Sequence, residues 1–540
     1  METITIVLML LLAVVLSGIV SRLLPINLPR PLVQIALGAV IGTVADWRVT
    51  LDPEIFFLLF LPPLLFLDGW RIPREEMFKD AVTIVELALG LVLFTVVGMG
   101  LFIHWMVPAM PLAVAFALAA VVSPTDPIAV SAIAQRVPIP KRMMHILEGE
   151  SLLNDASGLV CLRFAIAAAL TGAFSLHDAA LNFLWLAAGG IAVGAGLTWG
   201  AARAKDWVSR RLGEESASQI LISLLIPFGA YLLAEHLHCS GILAAVSAGL
   251  TMGWVEGRGQ ALATTRIRRS TVWDIIQFAA NGTIFVLLGE QLPLILAGAA
   301  ETVRLTGHHT PWWLGVYVVA ITLALAALRF LWVWISFRFT LLRRGERGTR
   351  PDWKIVAAMS CAGVRGAITL AGVLTLPLTL NDGAPFPARD LAILLAMGVI
   401  ITSLLVASVS LPWLLRDLKM PAEPQAVGEE DRARTAAARA AIAEIERVEH
   451  DMATGRADAD VYVTVAAEIM DLYRLRLDRL EQAPREERRE LWRIERELRL
   501  AAVRAERAAI FEMRQRRELG TEVSRKLIRE LDLLEARYAG

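Results

Sequence analysis

The sequence predicts an all-α polytopic membrane protein: about thirteen transmembrane helices in two inverted six-helix repeats with broken, crossed helices, then a C-terminal cytoplasmic helical tail. Three observations lead there. The 540 residues are 56% hydrophobic and only 20% charged, against roughly 25% charged in an ordinary soluble chain. Charge is unevenly placed, since 49 of the 106 Lys, Arg, Asp and Glu residues lie beyond position 420. Basic residues also alternate sharply between successive connections of the apolar part. The chain therefore divides into a membrane body, 1–420, and a soluble tail, 421–540. The formal net charge of zero conceals this division. A nucleic-acid binder, a secreted disulfide scaffold and a single soluble enzyme all fit such a composition poorly.

A hydrocarbon core about 30 Å thick requires roughly 20 apolar residues per helix. Such stretches occur near 2–20, 31–47, 54–69, 81–106, 111–134, 143–170, 178–203, 217–237, 240–256, 272–297, 311–341, 353–378 and 389–417. The first lacks a basic leader and a small-residue cleavage site, so it reads as a span rather than a signal peptide. Cytoplasmic loops collect Lys and Arg. Alternate connections, beginning with Arg22 and Arg30 and ending with Arg338 to Lys354, hold 22 basic residues, while the intervening ones hold only Arg48, Arg304 and Arg389. This bias places the N-terminus outside and the tail in the cytoplasm. An odd number of spans accommodates two inverted repeats around a linking helix. Cys161, Cys239 and Cys361 show no CxxC spacing and suit free thiols.

The tail carries apolar residues at helical spacing, as in Ile442, Ile445 and Val448, in Leu491, Ile494 and Leu498, and in Leu527, Leu531 and Leu534, with Glu and Arg elsewhere. Pro484 and Gly520 punctuate the run. This pattern suits a helical or coiled-coil module that packs or dimerises. No GxxxxGK[ST] or Gly-rich phosphate loop occurs, and no cofactor is called for.

Ionisable groups inside a membrane are costly, so they mark function or paired structure. Three clusters reach the midplane. Span 6 contains Glu150-Ser151-Leu152-Leu153-Asn154-Asp155. Asp155 lies twelve residues past Met143, roughly 18 Å into the helix at 1.5 Å per residue. Ser151 and Asp155 share one face at i, i+4, and a carboxylate there suits competition between a proton and a cation. Span 5 contains Ser123-Pro124-Thr125-Asp126-Pro127. An intact helix cannot run through that pair of prolines, and broken backbone at this depth must be buried or line a cavity. It frees carbonyls such as that of Thr125 for a hard cation. Span 12 contains Gly363-Val364-Arg365-Gly366, where Arg365 is expected to pair with Glu150 or Asp126. Arg329 in span 11 is read as structurally paired. Asp68 divides between ion pathway and interfacial anchor. Arg163 is read as snorkelling to the outer interface. Glu235 and Glu290 near outer helix ends are read as solvated.

Ser-Pro-Thr-Asp-Pro at 123–127, Gly-Glu-Ser-Leu-Leu-Asn-Asp at 149–155 and Gly-Val-Arg-Gly-Ala at 363–367 resemble the cation:proton antiporter-1 family, which includes the animal sodium/hydrogen exchangers and their bacterial relatives. The resemblance implies an elevator-type homodimer in the plasma membrane of a bacterium, with a core domain and a dimerisation domain. It implies that Asp155 carries cation and proton in turn, that Asn154, Ser151, Thr125 and Asp126 complete the site, and that Glu150 pairs with Arg365. The cargo would be Na⁺, with K⁺ or Li⁺ as alternatives, exchanged for H⁺ in support of pH and cation homeostasis. The family's span-3 acid falls here on Leu67, one place before Asp68, which breaks the register for that ligand. An Asn-Asp pair without a membrane-buried Lys implies electroneutral one-for-one exchange. The other partners expected are membrane lipid and the transported ions, with no nucleic acid. A non-transporting sensor acting through the tail and a channel are competing readings. Crossed broken helices around one acidic site suit alternating access better than a channel.

Overall fold

A computed structural model describes residues 2–24, 28–44, 53–72, 81–127, 130, 141–171, 176–257, 262–304, 310, 312–343, 353–416, 424–454, 458–482 and 485–539. These residues are almost wholly helical. The exception in pairing is a single isolated antiparallel bridge between Thr379 and Pro385. The chain forms two compact units, Met1–Lys419 and Met420–Gly540.

In the first unit, α1 is Glu2–Leu23, α2 Arg30–Val44 and α3 Pro53–Arg71. Helix α4 spans Ala81–Met106, with a π-helical turn at Glu86–Leu91. Then come α5 Leu112–Val122, α6 Lys141–Thr171 and α7 Leu176–Leu212. Next are α8 Ser216–His236, α9 Gly241–Glu256, α10 Ala263–Arg304 and α11 Trp312–Arg343. Predicted span 12 is split into α12 Trp353–Cys361 and α13 Ala367–Leu374, and α14 is Arg389–Leu415. Among the described residues, eight helices are long and apolar enough to cross a membrane, and three shorter apolar helices accompany them.

The helices sort by packing into two bundles. One holds α1, α2, α3, α7, α8, α9 and α10; the other holds α4, α5, α6 and α11 to α14. Lipid tails are as apolar as leucine, so membrane helices gain from close backbone approach at small residues. The first bundle does this repeatedly. A Cβ added at Gly38 or Gly289 would stand 2.0 Å from Val286 O or Ile35 O, locking α2 onto α10. A Cβ at Gly249 would stand 2.0 Å from Phe66 O, locking α9 onto α3. The second bundle is built around Ala-rich α5 and the apolar α14, whose Leu391, Ala392, Leu395 and Ala396 are fully buried.

Two breaks organise the second bundle. Helix α5 stops at Val122, before Ser123-Pro124-Thr125-Asp126, and α12 stops at Cys361, before Ala362 to Gly366. The stretches meet: Asp126 N donates to Val364 O at 2.7 Å. A Cβ at Gly366 would collide with Asp126 Oδ2, so glycine is required by contact there. Most of the remainder of predicted span 5, 128–134 apart from 130, lies outside the described residues.

The second unit contains α15 Pro424–Ala453, α16 Ala459–Gln482, α17 Arg485–Gln515 and α18 Thr521–Ala539. Helix α15 packs with α16, and α17 with α18. Ala438, Ala466, Val503 and Leu531 are its buried apolar residues. Ion pairs add links, among them Arg488 to Asp431 at 2.8 Å and Arg507 to Asp532 at 2.9 Å. Cys161, Cys239 and Cys361 of the membrane unit are free.

Candidate functional site: an acidic cavity at two crossed breaks

Glu150 and Arg329 are deeply buried charges, 0% and 2% exposed. Arg329 of α11 grips Glu150 of α6 as a fork, with Nη1 on Oε1 and Nη2 on Oε2 at 2.7 Å. Its Nε donates to Met359 O at 3.1 Å, near the end of α12. One guanidinium thus neutralises the α6 carboxylate and satisfies a carbonyl near the break. Thr125 Oγ1 lies 3.3 Å from Glu150 Oε1 and accepts from Asn154 Nδ2 at 3.0 Å.

This geometry corrects the expected pairing of Glu150 with Arg365. Arg365 Nε donates to Val122 O at 2.8 Å, and its Nη1 donates to Gly363 O. The physical reason is the breaks themselves. Unwinding leaves carbonyls without intrahelical donors, and a buried carbonyl must find one. Arg365 serves the carbonyls of both broken segments, which leaves Glu150 to Arg329.

Beside this knot is a small cavity of about 30 Å³, lined by Asp68, Thr125, Asp126, Ser151, Asp155, Asn281, Thr369 and apolar neighbours from α3 and α13. That is room for a water molecule or an ion of similar size. A larger open vestibule of about 460 Å³ lies next to it, walled by Arg30, Gln34, Arg71, Glu148, Asp274, Gln277 and others. Asp68, Ser151 and Asn281 line both spaces. The candidate residues Asp155, Ser151, Thr125, Asp126 and Asp68 therefore share one cavity. Asn154 sits behind it, holding Thr125, and Glu150, Arg329 and Arg365 form the surrounding frame. Asp68 reaches the cavity despite its one-place shift.

Arg163, Glu235 and Glu290 depart from their expected settings, and Glu86 is engaged as well. Arg163 of α6 donates to Glu235 of α8 at 3.0 Å instead of simply reaching for the interface. Glu235 also accepts from Gly241 N at 3.2 Å, at the start of α9. Glu290 is buried rather than solvated. Glu86 accepts from Ser336 Oγ at 2.9 Å, and its carbonyl from Trp332 Nε1 at 3.2 Å. Asn281 was invisible to a charge-based reading because it is neutral. A polar residue facing an otherwise apolar stretch of α10 was the available signal.

The family model described as the transmembrane sodium/hydrogen exchanger matches residues 8–417. The chain is 43% identical to the "Uncharacterized Na(+)/H(+) exchanger YjcE" of Escherichia coli (strain K12), over 99% of both chains. It is 44% identical to a Bacillus pumilus protein named "Sodium, potassium, lithium and rubidium/H(+) antiporter", over 77% of this chain and 61% of that one. Among solved structures, the sodium proton antiporter MjNhaP1 of Methanocaldococcus jannaschii superposes with a TM-score of 0.59 at 20% identity, covering 77% of this chain and 99% of the other. That likeness concerns the fold. This protein is a multi-pass membrane transporter rather than an enzyme, and it belongs to the sodium/hydrogen exchanger family.

Proposed function

We propose that the protein exchanges a monovalent cation, Na⁺ first and K⁺ or Li⁺ in addition, for protons at Asp155. The observation that carries this reading is the cavity: Asp155, Asp126 and Asp68 surround a space of about 30 Å³, enough for one largely dehydrated ion. Ser151 and Thr125 line the same space, and the Ser151 hydroxyl and Thr125 carbonyl supply the hard oxygen ligands that such cations prefer. Glu150 is committed to Arg329 and serves the frame. Asn154 is neutral and spent on Thr125, so Asp155 is the α6 carboxylate left in the cavity to alternate between proton and cation. The Asn154-Asp155 pair, as the family resemblance implies, supports one-for-one, electroneutral exchange. The alkali-cation name of the Bacillus pumilus relative supports the choice of cargo.

Alternating access follows from the two bundles. Asp155 rides on α6 of one, while Asp68 and Asn281 face it from α3 and α10 of the other. A shift of the first bundle past the second carries Asp155 from one side of the membrane to the other. Thirteen spans, in inverted repeats 1–6 and 8–13, fit this division. The Lys and Arg bias puts the vestibule, with Arg30 and Arg71, on the cytoplasmic side of a bacterial plasma membrane, together with the tail. Two copies associate through the first bundle, and the tail at 421–540 regulates or steadies the dimer. The test is cation-driven proton flux in proteoliposomes, compared across Na⁺, Li⁺ and K⁺. Asp155→Asn is expected to abolish flux while the protein still inserts. Substantial coupled flux in that variant removes Asp155 from the mechanism.

A further inference from the structure

Asp68, Ser151 and Asn281 come from three different helices and are the residues common to the cavity and the vestibule. They form its neck. Asn281 is the one no family motif assigns. Its Oδ1 is buried and has no hydrogen-bond partner among the described residues, whereas a buried amide oxygen ordinarily has one. Leaving such an acceptor unmet is unfavourable. Asn281 lines the same cavity as Asp68, Asp126 and Asp155. An amide oxygen gains nothing from these carboxylates while they are ionised and gains directly from a cation between them.

We propose that Asn281 is a cation ligand contributed by the first bundle: its amide oxygen replaces part of the hydration shell of the ion as it passes the neck. This rests on the reading of Asp155 as the cargo site and adds a directional consequence. Asp155 and Ser151 belong to α6 and travel with their bundle, whereas Asn281 belongs to α10 and stays with the other. Asn281 therefore coordinates only while the site faces the vestibule. It raises cation affinity on that face and leaves the opposite face untouched. It is neutral, so it does this without changing the charge count of the exchange.

The test compares the full-length parent, Asn281→Ala, Asn281→Leu and Asp155→Asn in proteoliposomes of defined orientation, with Na⁺ presented to one face at a time. Expected for both Asn281 variants is an increase of about tenfold in KM for Na⁺ at the vestibule face, the equivalent of ~1.4 kcal/mol. Maximal rate should stay within about twofold, KM at the other face should not change, and the thermal midpoint should match the parent. An unchanged vestibule-face KM overturns the proposal, as does an equal rise at both faces, which would mark a packing defect. Asp155→Asn separates the two readings. If it retains flux, the cargo site itself is misplaced. If it abolishes flux while the Asn281 variants behave as the parent does, only the neck ligand fails.

Discussion

Removing Arg329 tests the frame that holds the cavity. In Arg329→Ala, Glu150 keeps Thr125 Oγ1 at 3.3 Å and Asn154 Nδ2 at 3.5 Å, two long neutral contacts in place of a charged fork. Breaking one side of a buried ion pair costs about 3–5 kcal/mol. Met359 O also loses its donor, which puts the expected loss toward the upper end. Unfolding entropy grows with chain length, so a unit of this size loses roughly 1 °C of midpoint per kcal/mol. The midpoint should therefore fall by ~3–6 °C. Tryptophan fluorescence during heating in detergent measures it. The double variant Glu150→Leu/Arg329→Met removes both charges and should recover most of the loss, because an apolar replacement of a buried pair is close to neutral. If Arg329→Ala melts with the parent, or the double variant is no better than the single, the pair does not bear the assigned load.

Arg365→Ala strands the Val122 and Gly363 carbonyls, at about 1–3 kcal/mol each, so it should lower the melting midpoint and slow exchange. Arg365→Lys should restore part of both, and an unchanged midpoint with altered cation preference would instead put Arg365 against the cargo. Arg163→Gln should change the midpoint little, because its pair with Glu235 is half-exposed and worth about 1 kcal/mol or less. It should still alter the flux rate, since the contact joins α6 to α8 across the two bundles, and an unaltered rate would make the bridge incidental. A chain ending at Lys419 should still exchange ions, with a shifted dependence on internal pH. Complete loss of flux in a well-folded truncated protein would place the tail inside the transport cycle.

What could be read from the sequence follows what the bilayer enforces. Apolar length marked the helices, and Pro124 and Pro127 flanking Thr-Asp marked one break, although α3 continues through Pro62 and Pro63. Glycines around Arg365 marked the other. The partner of Glu150 was not legible. Two arginines, Arg329 and Arg365, reach comparable depth, and proximity of motifs favoured the wrong one. The choice depends on backbone carbonyls exposed by unwinding, which exist only once the two breaks have crossed. Asn281 escaped for a related reason. Its significance lies in which cavity wall it joins, and helical periodicity along α10 says nothing of that. The pairing of Arg163 with Glu235 likewise depends on how α6 and α8 come together in space.

The π-helical turn at Glu86–Leu91 works as a phase shift. A π turn closes i→i+5 bonds and holds one residue more than an α turn, so the two ends of α4 are rotated independently against their neighbours. Both loosened carbonyls are put to use. Glu86 O receives the Trp332 indole of α11, and Ala88 O lies 2.8 Å from Ser157 Oγ of α6. Three helices are thereby indexed to one another by a surplus residue. A one-residue deletion within 86–91 would give a better α-helix and a worse bundle, turning one half of α4 by about 100° and parting it from α6 or α11. Substitutions of equal length should be absorbed there, while changes of length should not. Helices α4, α6 and α11 are thus keyed to one another as a single body.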